Sequence, residues 1–171
     1  MSCYAGRMTR ASFVSILSLL ALAALGFAML SLAGAPVGWK ADDFVDRDTD
    51  AEAVTRGYRL EAEGGGATLK LTCTPNAPIA AILVAEAPFA AKSVARIAID
   101  GAASEARPVT IAGASAILAD AKSPDARAFI DRLSASRRVT IALDTTATPF
   151  TATFETTGAD DAVGDLRHVC I

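Results

Sequence analysis

The stretch that most limits what this chain can become runs from Ala11 to Trp39 and carries no charge: ASFVSILSLLALAALGFAMLSLAGAPVGW. Within it, Phe13 to Leu32 is almost wholly apolar. As a helix rising about 1.5 Å per residue it spans roughly 30 Å, the thickness of a bilayer's hydrocarbon core. A helix packed on a globular core keeps one wet stripe, and this run has none. Arg7 and Arg10 stand before it, and Asp42 and Asp43 after it. The positive-inside bias leaves residues 1–10 in the cytoplasm and exports the chain beyond Trp39. The run over 11–39 is therefore read as an uncleaved signal anchor, one transmembrane helix through the inner membrane with the C-terminal part in the periplasm. A cleaved signal peptide is the competing reading. Ala33-Gly34-Ala35 supplies the small residues for cleavage but Pro36 follows unfavourably, whereas cleavage after Ala33 has Ser31 three positions before the bond. Cys3 precedes the run, so the arrangement of a lipoprotein signal is absent.

Export decides the chemistry of the cysteines. Of the three, Cys3 stays on the reducing side, while Cys73 and Cys170 both reach an oxidising compartment, where such a pair is most simply a disulfide. The exported part holds fourteen basic against nineteen acidic residues. An acidic balance disfavours nucleic acid and anionic lipid surfaces as partners, since both demand a basic patch.

Residues 40–56 are rich in carboxylates and their apolar residues show no period, which reads as an acidic linker. From Gly57 the pattern turns to period two and an exported domain over 57–171 begins. Tyr58 to Glu63 alternates, Gly64-Gly65-Gly66 permits a tight reversal, and Leu69, Leu71 and Cys73 then share one face. Thr74-Pro75-Asn76-Ala77-Pro78 is a turn cluster, and Ile79 to Ala85 reads as a strand buried on both faces. Ser93 to Asp100, Pro108 to Ile111 and Ser115 to Ala119 follow as shorter strands. Ser123-Pro124-Asp125 opens a helix, with Ser123 as N-cap and Pro124 at the first helical position, and its core face is Ala126, Phe129, Ile130 and Leu133. Arg137 to Asp144 and Pro149 to Glu155 alternate as a hairpin. A last capped helix starts at Thr157-Gly158 and places Ala159, Ala162, Val163, Leu166 and Cys170 on one side. The fold class expected is α+β: a mainly antiparallel β sandwich or barrel with two C-terminal helices, preceded by the N-terminal transmembrane helix.

Several residue groups carry part of a chemical signature. Asp46, Asp48, Asp50 and Glu52 imitate the opening of a calcium loop, but Ala51 and Gly57 stand where that loop needs glycine and glutamate. The triple glycine is followed by no Gly-Lys-Ser/Thr, so it is a turn and no phosphate cradle. Gly113-Ala114-Ser115-Ala116-Ile117 imitates a nucleophile elbow, yet ends in isoleucine and has only His168 to pair with Ser115. His168 beside Cys170 suggests a metal site, but there is no second histidine. Arg137-Arg138 suits an anion or simply guards a strand end. No catalytic set, metal site or cofactor is expected, and the binding residues are unassigned.

Taken in order, a tryptophan beside the membrane run, an Asp-x-x-Thr-Asp stretch, a strand ending in cysteine, a helix with a Phe-Ile pair, an arginine-led hairpin and a terminal helix ending in cysteine form a pattern. The residues carrying it are Trp39, Asp46, Thr49, Asp50, Cys73, Phe129, Leu133, Arg138, Phe154, Gly158, Ala162, Leu166 and Cys170. It resembles the small exported type VI secretion-associated TagO/VasI-like proteins, and is also similar to invasion-associated locus B proteins. The resemblance implies a periplasmic domain with one disulfide and no catalysis: a non-enzymatic accessory or protein-binding module of the bacterial cell envelope, whose partner is an envelope or secretion-system protein. The alternatives are a carrier of a small lipid-like ligand, its pocket lined by Phe150 and Phe154, and a hydrolase using Ser115 or His168.

Overall fold

The computed structural model describes residues 38–46, 53–120, 123–146 and 148–170. The segment read as a membrane anchor lies outside them except for Gly38 and Trp39, as do Asp48, Asp50 and Glu52 of the calcium-like stretch. Among the described residues no helix is long and apolar enough to cross a membrane.

Alternating sequence becomes antiparallel sheet. In chain order the elements are β1 (Lys40–Ala41), β2 (Phe44–Asp46), β3 (Ala53–Glu61), β4 (Ala67–Cys73), β5 (Ala80–Ala85), β6 (Val94–Ile99), β7 (Glu105–Pro108), β8 (Thr110–Ala112), β9 (Ser115–Ala119), α1 (Ala126–Ser134), β10 (Arg138–Asp144), β11 (Pro149–Glu155) and α2 (Ala159–Val169). One sheet runs β1-β3-β4-β5-β9-β8, with β2 also paired to β3; the other runs β11-β10-β6-β7. Every pairing is antiparallel. One core takes Leu69, Leu71 and Leu83 from the first sheet, Val139, Ile141 and Phe154 from the second, and Leu133 and Leu166 from the helices. Helix α1 packs on α2 and β9, and α2 on β3 and β4. The α+β class and both helices are as the sequence implied.

The register explains the burial. Tyr58 faces Leu71 and Leu60 faces Leu69 across β3 and β4. Leu60, Leu69 and Leu71 all reach the core. The reversal between these strands is made by Gly64, Gly65 and Gly66, all with φ near +80° (84°, 82° and 77°), where an L side chain is strained. In the second sheet Val139 faces Phe154 and Leu143 faces Phe150, the alternation read for that hairpin.

Five local expectations need correction. The described residues of 40–56 do not form a linker: 40–46 and 53–56 supply β1, β2 and the start of β3, and Trp39 before them is 2% exposed within the core. Lys40 pairs with Arg59 and Ala41 with Tyr58, while Lys70 reaches Asp42 at 2.7 Å, so this segment is an edge of the sheet. The apolar stretch 79–85 has its fully buried strand residues on one face, Ala81, Leu83 and Ala85, while the alternate residues of β5 are only half-buried. No single strand spans 108–111. β7 ends in the second sheet at Pro108, which has no N–H to extend a ladder, and β8 starts in the first sheet at Thr110, so the chain changes sheets at Val109. Helix α1 starts at Ala126 rather than Pro124, since Ser123-Pro124-Asp125 form a turn with Ala126 N–H donating to the Ser123 carbonyl at 3.1 Å. Helix α2 is entered through Gly158 at φ +84°, with no side-chain cap from Thr157.

Candidate functional site: a groove beside the disulfide

Cys73 closes β4 on its inner face, and Cys170 follows the last turn of α2. The two are joined in a disulfide, with Cα atoms 6.0 Å apart and both residues 4% exposed. This ties the last helix to the first sheet.

Beside the disulfide lies a groove of about 580 Å³. Its floor is Ile79, Ala126, Ile130 and Cys170, all buried, and its walls are Asn76, Ala77 and Pro78 on one side and Ser123, Arg127 and Arg167 on the other. The wall at 74–77 is a tight turn: Ala77 N–H donates to the Thr74 carbonyl at 3.0 Å, with Pro75 second and Asn76 third at φ +64°. Those are the residues a type II turn selects. Arg167 is held by the carboxylate of Asp131, a contact from α2 to α1. Arg127 is exposed and makes no ion pair among the described residues. The groove's lining contains no carboxylate among the described residues.

A second, smaller hollow of about 270 Å³ lies between α1 and the β6–β7 hairpin. Its charges are internally matched. Arg107 lies 4.6 Å over the Phe129 ring, pairs with Asp125 at 2.9 Å and donates to the Leu118 carbonyl. Arg132 holds Glu105 through two bonds of 2.8 and 3.0 Å. The hydrogen bond from Ser123, and then Arg107, keep the Asp125 carboxyl below the usual aspartate range. Arg132 does the same to Glu105. These groups bind one another and fix α1 against the second sheet.

On the face between α2 and β3, the Tyr58 hydroxyl donates to Asp165 at 2.9 Å. Desolvation by burial, then the bond and charge of Asp165, push the Tyr58 phenol up to about 12. The folded state therefore holds this proton where an ordinary tyrosine, with a pKa of about 10, loses it. A raised value in the fold means stability intact below pH ~10 and lost as pH rises through about 12. Absorbance titration of tyrosinate is expected to show a late phase that Tyr58→Phe removes, and the alkaline loss of stability is expected to shrink in the same variant.

The remaining sequence candidates are scattered. Ser115 sits in β9 opposite Val84 and Ala112, whereas His168 is exposed on the last turn of α2. Cys170, its neighbour in the candidate metal site, is in the disulfide. Among the described residues no cluster of His, Cys, Asp and Glu suits a metal ion. The Arg137-Arg138 pair is engaged. Both backbone N–H groups donate to Asp100 at 2.9 Å, and the Arg138 guanidinium meets Glu63 at 3.0 Å. Those two backbone bonds hold the Asp100 carboxyl below its ordinary value. Phe154 is fully buried and Phe150 packs edge-on to Phe89 with centroids 5.5 Å apart, so these rings belong to the packed interior and line neither hollow. The groove itself was not expected from the sequence. Its only local signals were the 74–78 turn cluster and an arginine at the second position of a helix.

Fold and staple together describe an α+β domain of mainly antiparallel sheets, its last helix fastened to the first sheet by a disulfide. Among solved structures, the crystal structure of invasion associated protein B from Bartonella henselae is similar, with a TM-score of 0.52 over 77% of this chain and 92% of that one, at 12% identity. No family model matches the sequence, and no curated protein matches it. The likeness is one of fold, and it falls on the invasion-associated side of the resemblance drawn from the sequence.

Proposed function

We propose that this chain is a non-enzymatic accessory protein of the bacterial cell envelope, exported to the periplasm, tethered to the inner membrane through residues 11–39 and working through contact with an envelope protein in an invasion-associated role. The observation that carries this reading is the fold shared with invasion associated protein B over 92% of that chain. The disulfide supports it, because a bridge between Cys73 and Cys170 suits an oxidising compartment.

The test is chemical crosslinking in intact envelopes, then immunoprecipitation of the full chain and fractionation of the same material. The reading expects a membrane-bound chain, digested by protease only once the outer membrane is opened, with a discrete envelope protein crosslinked to it. A chain that crosslinks to nothing above background, or that resists protease in spheroplasts, overturns it. A soluble product smaller by about 4 kDa would replace the anchor with a cleaved signal peptide.

A further inference from the structure

We propose that the groove beside the disulfide is a binding site for a small amphiphilic monocarboxylate, a molecule with one carboxylate and an apolar tail of the fatty-acid type. This inference stands apart from the tethering and partner reading above.

The volume comes first. A hollow of about 580 Å³ falls within the range of about 300–1,000 Å³ in which proteins hold small molecules. The floor comes second. Ile79, Ala126 and Ile130 are apolar and buried, and the Cys170 sulfur beside them carries no ionisable proton while it is in the disulfide. A tail laid on this floor leaves water for apolar side chains.

The charge comes third and selects the head group. Two guanidinium groups stand at the groove and no carboxylate among the described residues lines it. Arg167 is already neutralised by Asp131, which leaves Arg127 as the lining group without an ion pair among the described residues. Arg127 occupies the first turn of α1, where the helix's own field repels a cation, and the acidic residue at the helix start, Asp125, is taken by Arg107. A planar guanidinium matches a carboxylate through two parallel hydrogen bonds. The second hollow makes the contrast: its two arginines are matched to Asp125 and Glu105 and have no charge left to offer.

The experiment is calorimetric titration of the full, oxidised chain in phospholipid nanodiscs, with empty nanodiscs as the blank, using octanoate, octanol and octylammonium. The expected result is saturable binding of octanoate at one site, with octanol about tenfold weaker or worse and octylammonium not bound. Arg127→Gln is expected to weaken octanoate about tenfold and leave octanol unchanged. Arg127 is exposed and makes no ion pair among the described residues, so its replacement should not lower the urea midpoint. Ala77→Trp, on the half-exposed turn, is expected to fill the groove and abolish both. Octanol binding as well as octanoate, an unchanged affinity in Arg127→Gln, or no heat above the blank overturns the proposal. N-acetyl-dileucine binding more tightly than octanoate also overturns it, and would reassign the groove to the C-terminus of a protein.

Discussion

Replacing Cys73 and Cys170 together by alanine is expected to lower the free energy of unfolding by about 4–5 kcal/mol. The bridge closes a loop with a sequence separation of 97, long enough that the open chain gains most of the configurational freedom a single crosslink can withhold. Both cysteines go at once, so neither half of the bridge is left as a lone thiol. Urea unfolding monitored by far-UV circular dichroism measures the loss, and the reduced wild-type chain should match the double variant. The effect should also be unevenly distributed. Helix α2 keeps Ala159, Ala162, Val163 and Leu166 in the core, so its body stays docked, whereas its last turn at Cys170 is tied down by the bridge. Amide exchange is therefore expected to rise first at Arg167 to Cys170, and the groove that Arg167 and Cys170 line should lose octanoate binding before the domain unfolds. A loss below about 1 kcal/mol would mean that packing alone holds the helix and that the bridge is incidental.

What the sequence displayed and what it hid divide along a physical line. Val139, Ile141 and Leu143 alternate with polar neighbours because their strand has one wet face, and their partners across β11 repeat the signal. The core stripes of both helices were visible for the same reason, since each stripe is set by a contact that covers a whole face. The capping positions were not. Ser123 and Thr157 have the chemistry of caps, but the Ser123 hydroxyl bonds Asp125, and Gly158 turns the chain into α2 at positive φ. The crossing at Val109 was hidden because Pro108 pairs with Val94 while Thr110 pairs with Ile117, a decision made by partners outside the local stretch. The groove is the extreme case. Its walls come from 76–79, 123–130 and 167–170, and no local pattern records that three such segments meet. Similarly, Asp42 and Asp43 looked like solvated charge in a linker, yet Asp42 pairs with Lys70 and Asp43 accepts from the Gly57 N–H at 3.3 Å.

Trp39→Ala is the sharpest test of where the domain begins, and is expected to cost about 3–5 kcal/mol. As the last residue of the uncharged run, Trp39 would mark the edge of a membrane segment, and truncating it there would leave the stability of a domain starting at Gly57 untouched. In the structure it is 2% exposed and belongs to the same core as Leu60, Leu69 and Leu71. It is delivered there by Gly38 at φ +81° and by β1, whose pairing with β3 continues in the bond from Asp42 N–H to the Gly57 carbonyl at 2.8 Å. Gly57 has to be small for that approach: a Cβ would stand 3.0 Å from the Leu71 carbonyl oxygen and 3.1 Å from that of Asp42. The Trp39 ring N–H has no hydrogen-bond partner among the described residues, so the loss on truncation is one of packing and apolar burial rather than of a polar contact. Trp39→Phe, which keeps an aromatic ring in the same place, should therefore recover more than half of it. The residue also reports on itself, because it is the one tryptophan in the chain. Its emission should be blue-shifted in the native state and move to the red along the same urea curve that circular dichroism traces. Coincident curves, with the alanine variant unfolding at much lower urea, would place Trp39 in the cooperative unit. A stability unchanged by Trp39→Ala would return the start of the domain to Gly57 and make β1 an ornament of the sheet edge.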